Sequence, residues 1–350
     1  MNKIMTPKER VMTALRGGQP DKVPFTVYEC MIPQCTAERE LRNQGLCIVY
    51  RMASYRTVYP NVQVKSYSYV DEKNRNVVRR VYPTPYGDLS SLVEPAGFTS
   101  WKHEYLFKTE EDYKKLLFMI RDSVLLPDYD NAMEKVKMLG DDFVVRDQLM
   151  YEPMQALISD YMGTETFCYE WMDNRDLILE LYDALLENSR KAFKIVAEGP
   201  LEFINLGGNV VPNIIGVDTF RKYFVPVYNE AAEILHKRNK LLGCHFDADN
   251  TIIMDDIGNT LLDYIEAYDA GISPSVRIAR EKWPDKVLWL NWPSSWHLLD
   301  GSQVYSKTKL LLDEASSSNR FIIGITEDVP QDRWQDNFKT IMSAIDDYSK

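Results

Sequence analysis

The residues of this chain best suited to chemistry stand at the end of an apolar run, Leu241-Leu242-Gly243-Cys244-His245-Phe246-Asp247-Ala248-Asp249. Side chains alternate between the two faces of an extended strand. Leu241, Gly243, His245 and Asp247 therefore share one face, and Leu242, Cys244 and Phe246 the other. The second face is wholly apolar and suits packing against helices. The first turns from apolar to ionisable toward its C-terminal end, and His-x-Asp on one side of a strand offers two metal ligands, an imidazole nitrogen and a carboxylate oxygen. The same residues also fit a buried histidine followed by two loop carboxylates that cap the next helix. Cys244, on the opposite face from His245, reads as a small core residue.

Several other side chains stand where strands end. Asn209, after Gly207-Gly208, is placed to hydrogen-bond a substrate edge or to cap a turn. Asp147 and Glu152 close another strand as pocket carboxylates, or as partners of Arg146. His297 follows the strand at 287–291 and is positioned either to orient substrate or to lie on the surface near a helix start. Trp289, Trp292 and Trp296 cluster as a surface for an apolar planar ligand, or as packing between helices and strands. His103 and His236 read as structural.

The elements that must position these groups follow from periodicity. Thr6-Pro7-Lys8-Glu9 is an N-cap, a proline at the first helical position and an acid at the third. Val11, Met12, Ala14 and Leu15 continue at helical spacing until Gly17-Gly18. A short strand spans residues 23–29. Residues 62–70 and 76–82 pair around a turn at 71–75, and Pro83–Leu89 is turn chemistry. Helices are predicted over 109–121, 130–139 and 173–197, with a strand at 142–150 ended by Glu152-Pro153. From residue 200 strands at 203–206, 241–247, 264–268, 287–291 and 321–327 alternate with helices, the longest unbroken one over 218–239. Repeated strand–helix units imply a parallel sheet with right-handed crossovers, closed as a barrel or open and doubly wound. No dinucleotide fingerprint is present, since Gly207-Gly208 lacks the third glycine and the helix start.

The chain has 350 residues, 45% of them apolar, which suffices for a large core. No apolar run is long enough for a membrane span, and the N-terminus reads as an amphipathic helix rather than a signal peptide. Cys30, Cys35, Cys47, Cys168 and Cys244 are odd in number and form no paired motif, so a reducing cytoplasm is expected. A net charge of −11 argues against a nucleic-acid partner.

Taken in order, TPKERVMTAL (6–15), PDKVP (20–24), TPYGDL, KTEEDYKKL, Gly207-Gly208-Asn209, FRKYFVPVYNE (220–230), CHFDAD and TEDVP…NF…I (326–341) make the chain resemble the uroporphyrinogen decarboxylase superfamily over essentially its whole length. The resemblance implies an α/β fold, a (β/α)8 TIM barrel with its site at the C-terminal mouth. It implies one domain over residues 1–350, with about 30–110 an N-terminal helical and β-hairpin elaboration. Within the superfamily the chain is closer to the cobalamin-dependent methyltransferases than to true decarboxylases. The segment after Lys22 holds no arginine before Cys35 and offers Glu29 instead, which would repel a polycarboxylate. The decarboxylase histidine near the last strand is also missing from FIIGITEDVP. In the methyltransferases a His-x-Cys and a later cysteine hold zinc. Here those positions become His245-x-Asp247 and Glu327, which implies one nitrogen and two carboxylates as catalytic metal ligands.

The resemblance therefore implies a methyltransferase component. It would move a methyl group between a small methylated substrate, such as a methyl ether, or a thiol, and the corrinoid of a separate protein. Zinc on His245, Asp247 and Glu327 would act on the heteroatom, with Glu29, Asn209, Trp292 and His297 as substrate-binding residues. No D-x-H-x-x-G signature occurs, so the corrinoid arrives on a partner. A homodimer is left open. Two alternatives are a decarboxylase of tetrapyrrole carboxylates, which needs basic residues such as Arg51, Arg56, Arg79 or Arg80 converging in the mouth, and a non-catalytic tetrapyrrole-binding protein, in which His245 and Glu327 lie too far apart to share a ligand.

Overall fold

A computed structural model describes residues 4–315 and 319–349. The chain divides into two compact units. One comprises the residues up to Ser54, Tyr129–Gln148, and those from Val196 onward; the other comprises Tyr55–Asp128 and Leu149–Ile195.

The first unit is built on a closed barrel of eight strands: β1 (Phe25–Tyr28), β2 (Leu46–Met52), β3 (Phe143–Tyr151), β4 (Phe203–Gly207), β5 (Leu241–His245), β6 (Tyr264–Asp269), β7 (Val287–Asn291) and β8 (Phe321–Ile325). Neighbours in sequence are neighbours in the sheet, and β1 closes the ring against β8 in parallel, with Phe25 opposite Ile323. Helices alternate with the strands, which gives the (β/α)8 fold. Strands β1, β4, β7 and β8 are buried along their whole length, as expected where helices cover the outer face and side chains fill the inner one.

Inside the ring, aromatic residues face glycines. Tyr264 and Trp289 meet at 5.9 Å between ring centroids, and Trp289 lies 6.3 Å from Phe203. Trp289 Nε1 donates to Thr26 Oγ1 at 3.0 Å. A Cβ on Gly243 would come within 2.1 Å of the Tyr264 ring, so the absent side chain on one strand makes room for the ring on the next. On the outer face Phe246 packs against Phe220 and Tyr228 of the preceding helical segment, and Cys244 is buried there. The apolar face of the 241–247 stretch thus meets helices.

Strand β2 was not separable by sequence pattern from the less regular 30–110 span, yet it completes the barrel between β1 and β3. The predicted helix over 218–239 is also interrupted: Val217–Thr219, a wider π-helical stretch Phe220–Phe224, then Val225–His236. Pro226 has no N–H to donate back into the preceding turn, which accounts for the loosened segment before it.

The second unit carries a four-stranded antiparallel meander, Lys65–Val70, Asn76–Thr84, Gly87–Ala96 and Thr99–Glu104. The pairing around residues 71–75 and the turn at Thr84–Gly87 fall where turn chemistry requires. Helices Asp112–Asp122 and Thr164–Asp173 and most of Arg175–Glu198 complete it. No described helix is long and apolar enough to cross a membrane.

Candidate metal and substrate site

One step toward the C-terminal ends from the aromatic–glycine layer, the strands turn polar. Tyr28, Arg146, His245 and Glu266 project from β1, β3, β5 and β6 and meet. Glu266 is wholly buried. Its Oε1 accepts from Tyr28 Oη at 2.6 Å and from Arg146 Nη1, while Oε2 accepts from His245 Nδ1 at 3.1 Å. Arg146 also donates to Gln148 Oε1 at 3.0 Å. Burial alone would neutralise Glu266; the Arg146 guanidinium first, then His245 and Tyr28, overcome that and hold its carboxyl at about 2. The group is a buried anion at neutral pH, fully matched by donors.

This fixes how His245 presents itself. An ionised Glu266 can only accept, so Nδ1 carries the hydrogen and Nε2 is left to face outward. Nε2 lies 3.6 Å from Asp247 Oδ2 and 3.5 Å from Glu327 Oε1. Burial opposes a charge on the ring, but Tyr28, Asp247, Glu266 and Glu327 outweigh it and hold the imidazole well above its ordinary range. Donor atoms of His245, Asp247 and Glu327 lie within 4.8 Å of one another. Ligand distances of about 2.0–2.2 Å around a tetrahedral cation separate neighbouring donors by about 3.5 Å, so this nitrogen and these two oxygens fit one zinc-sized ion.

The rim is shaped by a bulge and a clasp. Pairing between β6 and β7 slips at Ala267, which adopts the left-handed conformation with φ 59°. The extra residue brings Asp269 back into register with Asn291. Burial, then Glu327 and Asp247, push the Asp269 carboxyl up, so a further acid stands near the cluster. Asn291 Oδ1 accepts from Thr326 N at 3.1 Å and Thr326 Oγ1 at 3.0 Å, which ties down the backbone just before Glu327.

Other sequence candidates fall elsewhere. Glu29 follows β1 with its carboxylate held by Arg51 through two bonds of 3.1 Å, and Arg51 in turn covers the Tyr28 ring at 3.9 Å. Asn209 turns the chain after β4 with φ 57°, its side chain exposed. The preceding Gly208 is essential to the approach of β4 to β5, because a Cβ there would sit 1.6 Å from the His245 carbonyl oxygen. Asp249 accepts from Thr251 N and Oγ1 and starts the next helical turn. Asp147 is buried on Ser54, not on Arg146.

Trp292 and His297, expected from the sequence as substrate-binding residues, are both completely buried. Trp292 Nε1 donates to Thr308 Oγ1 at 3.1 Å, and its ring lies 4.6 Å from that of His297. His297 is bonded by Asn337 and packs toward Phe338, and burial pushes its pKa down to about 4. Their partners Thr308, Asn337 and Phe338 lie on the helices Gly301–Ala315 and Trp334–Tyr348.

Comparison with known proteins follows the same outline. A methyltransferase from Methanosarcina mazei shares this fold. The two superpose with a TM-score of 0.61 at 15% identity, covering 99% of this chain and 100% of that one. The likeness is one of fold, the barrel expected from the sequence. Weaker likenesses run to the pneumococcal virulence factor StrH (TM-score 0.40, 10% identity, 97% of this chain and 84% of that one) and to a phospho-2-dehydro-3-deoxyheptonate aldolase from Francisella tularensis SCHU S4 (0.38, 10%, 97% and 90%). No protein-family model and no curated protein sequence matches the chain.

Sequence reasoning missed Glu266 and Tyr28 and misjudged the partner of Arg146. The signal for Glu266 was present: a carboxylate in the middle of Tyr-Ile-Glu-Ala-Tyr, in a strand otherwise suited to burial, demands a cation across the ring.

Proposed function

We propose that the barrel mouth is a methyl-transfer site. The heteroatom of a small methylated substrate, or of a thiol acceptor, binds at His245, Asp247 and Glu327, and the methyl group is exchanged with a corrinoid carried by a separate protein. The observation that carries this reading is the cluster itself: three ligand-bearing side chains from β5, the loop after it and the loop after β8 converge at the barrel mouth, in a fold shared with a methyltransferase. A divalent cation such as zinc, when held by these three groups, supplies Lewis acidity that improves a leaving group or favours a thiolate. The chain's own residues do the rest. Glu266 takes the Nδ1 hydrogen and aims Nε2. Arg146 and Tyr28 keep Glu266 ionised. The Asn291 clasp steadies the approach to Glu327.

The charge at the mouth disfavours the decarboxylase alternative. Asp247, Asp269 and Glu327 gather there, Arg146 is consumed by Glu266, and Arg51 by Glu29. A substrate with several carboxylates would meet repulsion. The binding-protein alternative required His245 and Glu327 to be far apart, and they are 3.5 Å apart.

The test combines metal binding with activity. Zinc affinity by competition with a chromophoric chelator, and methylation of cob(I)alamin by absorbance, are measured for wild type, His245→Ala and Glu266→Gln. His245→Ala is expected to abolish both with the fold retained by circular dichroism. Glu266→Gln is expected to weaken metal binding about 10- to 100-fold, the usual cost of removing a partner that orients a ligand. Unchanged methyl transfer in His245→Ala would refute the reading.

A further inference from the structure

The second unit contains a cavity of about 200 Å³ on one side of its meander, independent of the barrel site and of the function proposed for it. Tyr59, Arg80, Tyr82, Leu106, Met119 and Tyr161 give it its character. The hydroxyls of the three tyrosines make no hydrogen bond, and the Arg80 guanidinium has neither a carboxylate nor a hydrogen-bond partner among the described residues. The other charged groups on the wall are already matched. Lys102 Nζ donates to Ser159 O and to Asp160 Oδ1, both at 2.6 Å. Glu104 receives both arms of Arg79 at 2.8 and 2.9 Å. The cavity therefore presents one uncommitted cation, three uncommitted phenols and apolar walls. Burial, with Tyr82 nearby, pushes the Tyr59 and Tyr161 phenols up, so they remain donors at neutral pH.

We propose that this cavity binds a small aromatic carboxylate, with its carboxylate on Arg80 and its ring among Tyr59, Tyr82 and Tyr161. A guanidinium fork pairs with a carboxylate through two parallel bonds. Phenol hydroxyls donate to its remaining lone pairs, and tyrosine faces and edges favour an aromatic ring over an aliphatic one. The volume is right for a single ring, since an apolar cavity of about 150 Å³ already accepts benzene. A dianion such as phosphate is a poorer match. Only one positive charge is free, and two carboxylates stand on the wall, so its second charge would be uncompensated.

Isothermal titration of the full chain with benzoate, benzamide and inorganic phosphate tests this. Benzoate is expected to bind one to one, and benzamide, its neutral counterpart, about tenfold or more weaker, as is phosphate. Arg80→Gln, at an exposed position without partners, should weaken benzoate about tenfold or more with an unchanged circular dichroism spectrum. Tyr161→Phe should weaken it about two- to tenfold, and His245→Ala should leave it unchanged, separating this cavity from the barrel mouth. The proposal is overturned if benzoate gives no heat below about 10 mM. It is equally overturned if benzamide or phosphate binds as well, if Arg80→Gln binds benzoate like wild type, or if His245→Ala loses the binding.

Discussion

Glu266 in the barrel and Glu152 in the second unit are both shut away from solvent, at 0% and 1% exposure, and are held in opposite charge states. Glu266 has a guanidinium, an imidazole and a phenol around it and stays ionised down to about 2. Glu152 caps a four-residue helical turn, Pro153–Ala156. Its Oε2 accepts from Gln155 N at 3.0 Å, while Oε1 has no partner. Burial pushes that carboxyl up to about 8 against the pull of the Met154 and Gln155 amides. Burial is common to both, so what separates them is the number of full charges and donors that the fold delivers. Backbone amides at one helix start do not compensate desolvation; a guanidinium across the barrel does.

The largest effect should come from removing that guanidinium. Arg146→Met strands an anion inside the barrel and should cost about 3–5 kcal/mol in urea unfolding, whereas Arg146→Met with Glu266→Leu should recover most of it. A single-variant loss below about 1 kcal/mol would mean that Glu266 simply takes up a proton, and the contrast with Glu152 would collapse.

The next effect is one of pH. Glu152 has a folded pKa near 8, above the ordinary 4.5. Its contribution to stability is thus full below about 4.5 and is lost as pH rises through about 8, because the unfolded chain releases the proton first. Between pH 5 and pH 8 this should remove about 3 kcal/mol, and Glu152→Gln should flatten that part of the unfolding free-energy profile. Glu266 has the opposite sign: its contribution is present above about 4.5 and is lost as pH falls toward about 2. A wild-type profile identical to that of Glu152→Gln would show that Glu152 is ionised like its counterpart.

The smallest effect concerns the bulge beside Glu266. Ala267→Gly relieves a left-handed alanine at the cost of a more flexible unfolded chain, and thermal denaturation should show a gain of about 0.5 kcal/mol. A clear loss would indicate that the alanine methyl packs in a way that outweighs its backbone strain.

Much of the barrel was legible because its strands from residue 200 onward are short apolar runs separated by helical periodicity, and the bounds of β7 coincide with those read from the pattern. Strand β2 was hidden. It lies in an irregular stretch between the helix Thr36–Gln44 and the short strand Tyr55–Val58, and Leu46–Met52 has no alternation to mark it because its first residues are buried on both faces. At the site, the spacing of His245 and Asp247 was local and therefore readable. Glu327 was reachable only through family resemblance, since its approach depends on ring closure across most of the chain. The links from Glu266 to Tyr28 and Arg146 cross the barrel, and no spacing rule encodes a contact between residues more than a hundred positions apart. The burial of Trp292 and His297 was not readable either, because both follow the end of β7 and their packing depends on helix residues Thr308 and Asn337.

The place where β4 leaves the barrel has a consequence for anyone altering this protein. The hydrogen on Gly208 occupies the only room left against the His245 carbonyl. Even a methyl group at 208 would push on the peptide that carries the imidazole, so a change there is in effect a change at His245. Diversity at the mouth has to be sought in the loops after the other strands, with this seam left alone.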